Sequence, residues 1–146
     1  MTAPLAELST LLVREEAIGE LLAADAVVSA PDPARPFAIA ALANLVDAGV
    51  LLVVTPTSAD AERIVHDLVQ YVDRNRVERF PAWETLPFER VSPAAETMGE
   101  RLRVLTRIAH VHKERAEHGP IIVVAPVKAL LQRLATDDAP RLAGLY

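Results

Sequence analysis

Phosphate chemistry, if this chain performs any, belongs to the turn Ser29-Ala30-Pro31-Asp32-Pro33-Ala34-Arg35-Pro36, which separates a predicted strand from a predicted helix. A turn that cradles phosphate there needs glycines, so that backbone N–H groups can surround the anion. It also needs a lysine for the outer phosphates and a Ser or Thr hydroxyl for magnesium. This turn has no glycine. Pro31, Pro33 and Pro36 each remove an N–H donor. Asp32 adds negative charge, Arg35 stands where the lysine would, and Pro36 lacks the hydroxyl. The residues predict a rigid strand-to-helix turn with no bound cofactor.

Other candidates for chemistry are weaker. His110 and His112 are two apart on a predicted helix and point to different sides. With His66 and His118 they give no i,i+4 pair, so no metal site is predicted. Asp137-Asp138 reads as a solvated pair, and no serine stands in a nucleophile-elbow context. Cysteine is absent, which excludes disulfides, thiolate catalysis and Cys-type zinc sites. No catalytic constellation emerges.

Two surfaces remain as partner candidates. Phe80 to Pro93 holds the only Trp and two of the three Phe in a proline-stiffened connector. Its Trp83, Glu84, Leu86 and Phe88 either close the end of the sheet as a satellite core or form an exposed anchor for a partner. Arg101, Arg103 and Arg107 lie on a long predicted helix, where Glu96, Glu100 and Arg103 offer intrahelical ion pairs. A solvated face is the plain reading of these arginines, and a DNA or protein contact the sharper one.

The elements that would position these residues alternate. Leu5, Leu8, Leu12, Ile18, Leu21 and Leu22 predict an amphipathic helix over 5–24. Ala26–Ser29 reads as a strand, and a helix from Phe37 ends near Gly49. Val50–Thr55 is a continuous apolar strand of the kind buried on both faces. Ser58 is the predicted cap of the next helix, striped by Ile64, Leu68, Tyr71 and Val72. Val77–Phe80 is a third strand. Ser92-Pro93 starts a helix over about 93–118, striped by Met98, Leu102, Leu105, Ile108, Ala109 and His112, and Gly119-Pro120 stops it. Ile121–Ala125 is the last strand and Pro126–Leu134 a short helix. Strands alternating with helices imply right-handed crossovers and a mostly parallel sheet, so the fold class is α/β.

Composition narrows the classes further. The 146 residues are about half apolar, enough for one domain with a core. No run approaches the roughly 18 apolar residues of a membrane helix, and no basic-then-apolar leader opens the chain, so a cytoplasmic protein is expected. Net charge is −5, and residues 1–70 hold only Arg14, Arg35 and Arg63 as cations. That acidity argues against a broad nucleic-acid footprint.

The stretch Phe80-Pro-Ala-Trp-Glu-Thr-Leu-Pro-Phe-Glu89, then Ser92-Pro93 and Met98-Gly-Glu-Arg-Leu-Arg-Val-Leu105, closely resembles the first domain of the transcription-repair coupling factor family, Mfd. Ile121-Ile-Val-Val-Ala-Pro-Val-Lys-Ala-Leu-Leu-Gln-Arg133 is similar to that family's next strand and helix. Phe37–Leu42 sits where the related repair protein UvrB has the helix after its P-loop. The resemblance covers roughly residues 20–135. It implies a three-layer RecA-like (P-loop NTPase-like) domain with a degenerate P-loop at Ser29, Asp32, Arg35 and Pro36. On it, 1–24 is an N-terminal helix, and 25–146 is a degenerate RecA-like domain, part of a larger UvrB-like module.

The resemblance further implies a fragment of a factor acting in transcription-coupled nucleotide excision repair. The parent family is an ATP-driven DNA translocase, but motor motifs are absent from this sequence. Its partners would be neighbouring domains of the parent, with UvrA and RNA polymerase reached only through domains this chain lacks. The alternative is a UvrB-type nucleotide- or DNA-binding domain with a residual phosphate site at Arg35.

Overall fold

Val50–Thr55 and Ile121–Pro126 are aliphatic runs with polar or turn-forming neighbours, and they pair side by side at the centre of the fold. The computed structural model describes residues 3–22, 26–83 and 94–132; of residues 17 and 112–118 it describes the backbone only. Strands β1 (Val50–Thr55), β2 (Val77–Arg79) and β3 (Ile121–Pro126) form one all-parallel sheet in the order β1-β3-β2. Helices α1 (Ala6–Leu12), α2 (Glu16–Glu20), α3 (Arg35–Leu45), α4 (Ser58–Leu68), α5 (Ala95–His118) and α6 (Val127–Leu131) flank it.

Side chains alternate across the strands and build two cores. Val77, Ile122 and Val124, with Leu51 and Val53 against them, meet Ala40 and Ala43 of α3 and Ala61 and Leu68 of α4. On the other face Phe80, Ile121, Val123 and Ala125 meet Val104 and Val111 of α5 and Ala129 of α6. The chain passes from β1 to β2 beyond β3 through α4, then returns to β3 through α5. Reversing direction with the same right-handed crossover puts α4 and α5 on opposite faces. The result is the expected α/β sandwich of helix, parallel sheet and helix, consistent with a RecA-like three-layer fold.

The N-terminal region departs from the single helix expected over 5–24. It forms α1 and α2, broken at Val13–Glu15, where Glu15 is extended (φ −79°, ψ 125°). Ser9 and Ile18 are both buried, and Asn44 of α3 donates to Ser9 Oγ at 3.2 Å. Nine residues span about two and a half helical turns, so one straight helix would aim these two side chains in opposite directions. The break turns both inward.

The strand expected at Ala26–Ser29 is also absent. These residues join no ladder, and Val27 is 96% exposed. The sheet therefore has three strands among the described residues, and β1 is an edge. The cap of α4 is Thr57 rather than Ser58: extended Thr57 accepts from the Asp60 N–H at 3.1 Å and donates to Asp60 Oδ2 at 2.7 Å. Those reciprocal bonds secure the first turn, so Ser58 becomes its first residue.

The helix expected from Phe37 to near Gly49 is shorter in the structure, where α3 stops at Leu45. The glycine serves a close approach instead. A Cβ there would lie 2.9 Å from Val111 Cγ1, a side chain of α5 that is itself buried. Gly49→Ala is expected to destabilise the chain by about 1–3 kcal/mol through overpacking. Urea denaturation checks this; Gly49→Ala with Val111→Ala should recover part of the loss.

The buried side of α5 is also rotated from the predicted stripe. Arg101, Val104 and Val111 are buried, whereas Met98 and Leu102 remain exposed. The apolar pattern misled because an arginine takes a core position, for reasons given below. Gly119 follows α5 with φ 74°, a left-handed conformation suited to glycine, and Arg76 crosses it to donate to the Pro120 carbonyl at 3.2 Å. Among the described residues no helix is long and apolar enough to cross a membrane.

Candidate functional site

The turn singled out by the sequence lies at the carboxyl end of β1, where parallel sheets commonly bind ligands. There a groove of about 810 Å³ is lined by Ser29, Asp32, Arg35, Thr55, Asp60 and Arg63, among others. A one-turn 3-10 helix, Asp32–Ala34, leads into α3, whose first turn carries Pro36 and has no side-chain cap. Arg35 Nη2 binds Asp32 Oδ1 at 2.8 Å, one turn back. Across the groove Arg63 Nη2 binds Asp60 Oδ1 at 2.6 Å, and Asp67 adds a further carboxylate to the lining. Both cations of the groove are thus committed to carboxylates, and a phosphate would meet acidic side chains from both walls.

The aromatic connector begins in a joint the sequence did not reveal. Arg101 of α5 is 2% exposed and places its guanidinium carbon 4.2 Å from the Phe80 ring centroid and 4.6 Å from that of Trp83. Its Nη1 donates to the Pro81 carbonyl at 2.5 Å. Its Nη2 is buried and has no hydrogen-bond partner among the described residues. Burial pushes the Arg101 guanidinium below the ordinary arginine value, while the two ring faces offer the cation electrostatic compensation. Gln132, just past α6, grips the same strap: Trp83 N–H donates to its Oε1 at 2.7 Å, and its Nε2 donates to the Trp83 carbonyl at 3.2 Å. Trp83 is half-buried in this arrangement.

Arg103 and Arg107 turn to the sheet. Arg103 Nη2 and Arg107 Nη1 bind the two oxygens of Glu78, at 2.8 and 2.7 Å. Glu78 is buried on β2, whereas Arg103 is largely exposed. The intrahelical pairs expected among Glu96, Glu100 and Arg103 give way to tertiary ones. Glu100 Oε2 meets Arg79 Nη2 at 2.8 Å, and Arg79 Nη1 meets Glu62 Oε1 of α4 at 2.6 Å. Arg79 reaches both helices because β2 is an edge strand. The structure therefore separates the three arginines: Arg101 is stacked in the aromatic joint, and Arg103 and Arg107 share a carboxylate.

Comparison with known proteins gives this arrangement a lineage. Over 105 residues, 70% of this chain, the sequence is 43% identical to the transcription-repair-coupling factors of Mycobacterium tuberculosis and Mycobacterium bovis. The factor of Haemophilus influenzae is 36% identical over 83 residues, 57% of the chain. The chain is a homologue of the transcription-repair-coupling factors. It spans only a small part of them: the matched stretch is 8% of the mycobacterial factors and 6% of the Haemophilus one. No family model matches the chain.

Several candidate positions of this coupling-factor homologue lie outside the described residues: Glu84, Leu86, Phe88, Ser92-Pro93 and Asp137-Asp138. The partners of Arg101 escaped the sequence reading because Phe80 and Trp83 precede it by 21 and 18 positions. One signal was present: Arg101 falls three residues before Val104 and seven before Ile108, which is core spacing. Gln132 entered the sequence reading only within the Ile121–Arg133 resemblance, with no sign of its contact to Trp83.

Proposed function

We propose that this chain is the first, RecA-like lobe of the UvrB-like N-terminal module of a transcription-repair coupling factor, acting in transcription-coupled nucleotide excision repair. On this reading residues 25–146 form the lobe and 1–24 precede it. The lobe is a non-catalytic scaffold in a cytoplasmic factor. It supports UvrA recruitment and restrains the ATP-driven motor through neighbouring domains, and RNA polymerase is engaged elsewhere in the parent. Homology to the coupling factors supports the process.

The observation that carries the non-catalytic part is the Arg35–Asp32 ion pair in a glycine-free turn. The basic residue at the lysine's place is held by a neighbour, the surrounding N–H donors are lost to proline, and Pro36 cannot ligate magnesium. Titration of the chain with ATP and magnesium by calorimetry is expected to give no heat of binding. Micromolar binding that disappears in Arg35→Ala would sink the scaffold reading.

The second reading is a UvrB-type domain with a residual phosphate site. The groove beside Arg35 favours it, since space remains at the carboxyl end of β1. It requires Arg35 to exchange Asp32 for phosphate. DNA binding through Arg103 and Arg107 likewise requires them to leave Glu78, and predicts a steep loss of affinity with salt.

A further inference from the structure

The strap after β2 and the end of α6 are each lightly anchored, and they hold one another. Phe80 is the strap's last tie to the sheet: its N–H donates to the Val124 carbonyl at 2.9 Å, and the residue is 5% exposed. Past Phe80, among the described residues, the strap is hydrogen-bonded by side chains alone. The Pro81 carbonyl accepts from Arg101, and Trp83 gives its N–H and its carbonyl to the Gln132 amide. Pro81 has no N–H to offer a ladder.

The other side is no firmer. α6 has five residues, of which Ala129 alone is buried, and Leu131 is 81% exposed. A helix so short does not hold itself in water. Gln132 is extended (φ −82°, ψ 135°), so the helix stops at the residue that makes both bonds. Its amide offers Trp83 one donor and one acceptor, the exchange that a residue of a paired strand would offer.

The docked joint also carries opposing effects. The Phe80 and Trp83 ring faces attract the Arg101 guanidinium. Against that, Arg101 Nη2 is buried with no acceptor among the described residues, and an unmet buried donor disfavours the docked state. Withdrawal of the indole lets water reach that side of the guanidinium, while Phe80 and the Pro81 carbonyl still hold the arginine. Opening therefore returns part of what it loses. Few buried contacts and few backbone bonds place such a segment at the low end of local stability.

We propose that Ala82–Trp83 and Gln132 form a latch that opens and closes as one unit within the folded chain. Opening parts both Gln132 bonds together and lifts the indole from Arg101, while β2, β3 and α5 keep their places. Two segments 49 positions apart are thereby coupled. Displacing the end of α6 frees the strap, and by reciprocity displacing the strap frees the end of α6. The latch rests on this joint alone and not on reading the chain as part of a coupling factor.

Native-state hydrogen exchange on the 146-residue chain, without urea and in low urea, tests this. The Trp83 amide should be protected, yet exchange at least about a hundredfold faster than the Ile121 amide, which donates to the Gly49 carbonyl in the sheet. Its rate should not rise in low urea, because local opening exposes little surface. Gln132→Met keeps the bulk of the side chain and removes both bonds. It should speed exchange of the Arg101 guanidinium protons, which Gln132 does not touch, at least about tenfold. Trp83→Leu removes the indole and leaves the backbone bonded by Gln132. It should speed the Leu131 amide of α6 at least about fivefold. Neither substitution should change the Ile121 rate.

Four results would overturn the proposal. An unprotected Trp83 amide would mean the strap is not docked. Equal rates and equal urea dependence at Trp83 and Ile121 would mean the strap leaves only when the whole chain unfolds. A Gln132→Met variant that speeds Ile121 as much as Arg101 would make the glutamine a contributor to global stability and nothing more. An unchanged Leu131 amide in Trp83→Leu would mean the two segments do not move as one.

Discussion

Arg101→Ala should destabilise the chain by about 3 kcal/mol. The estimate combines two desolvated cation–π contacts, about 1–2 kcal/mol each, with a charged hydrogen bond to Pro81 and the space left behind, less the desolvation recovered by removing a buried cation. The stack sits where β2, α5 and the Trp83 strap meet, so its loss should loosen the strap before the sheet. Arg101→Lys should recover less than half, because an ammonium cannot lie flat between two rings. Urea denaturation followed by far-UV circular dichroism measures all three proteins. A loss below about 1 kcal/mol in the alanine variant would show that the stack contributes little beyond packing.

Glu78→Ala should cost about 2–3 kcal/mol. A charged hydrogen bond contributes about 1.5–3 kcal/mol, and Glu78 accepts one from each of Arg103 and Arg107. The sum is discounted because Arg103 is 58% exposed on its side chain and exchanges the carboxylate for water cheaply. A double-mutant cycle with Arg107→Ala should show more coupling than one with Arg103→Ala, since Arg107 is the more buried partner. Equal, near-zero couplings in both cycles would mean the network is ornamental to stability.

The parallel sheet was legible in the sequence because its signals are local. Val50–Thr55 and Ile121–Pro126 are aliphatic runs of strand length, and Gly119-Pro120 marks the end of α5. Ala26–Ser29 carries the same β-branched signal, yet a strand exists only with a partner, and none pairs with it among the described residues. The helix expected over 5–24 failed for a tertiary reason: Ser9 and Ile18 must face one neighbour. At the candidate site, the missing glycines and Pro36 were plain. The Asp32–Arg35 pair could be read as an i,i+3 contact. The joint at Arg101 could not, since its parts come from the segment after β2, from α5 and from the residue after α6. Apolar periodicity treats arginine as solvent-facing, and a core arginine between aromatic rings inverts that rule.

Trp83 is the sole tryptophan of the chain, and its backbone is held at both the donor and the acceptor by one glutamine amide. Its fluorescence is therefore a single-site gauge, reporting whether the segment after β2 is docked against the end of α6. Whatever displaces Gln132 acts on that clamp directly, and its effect reaches the indole as a shift in emission.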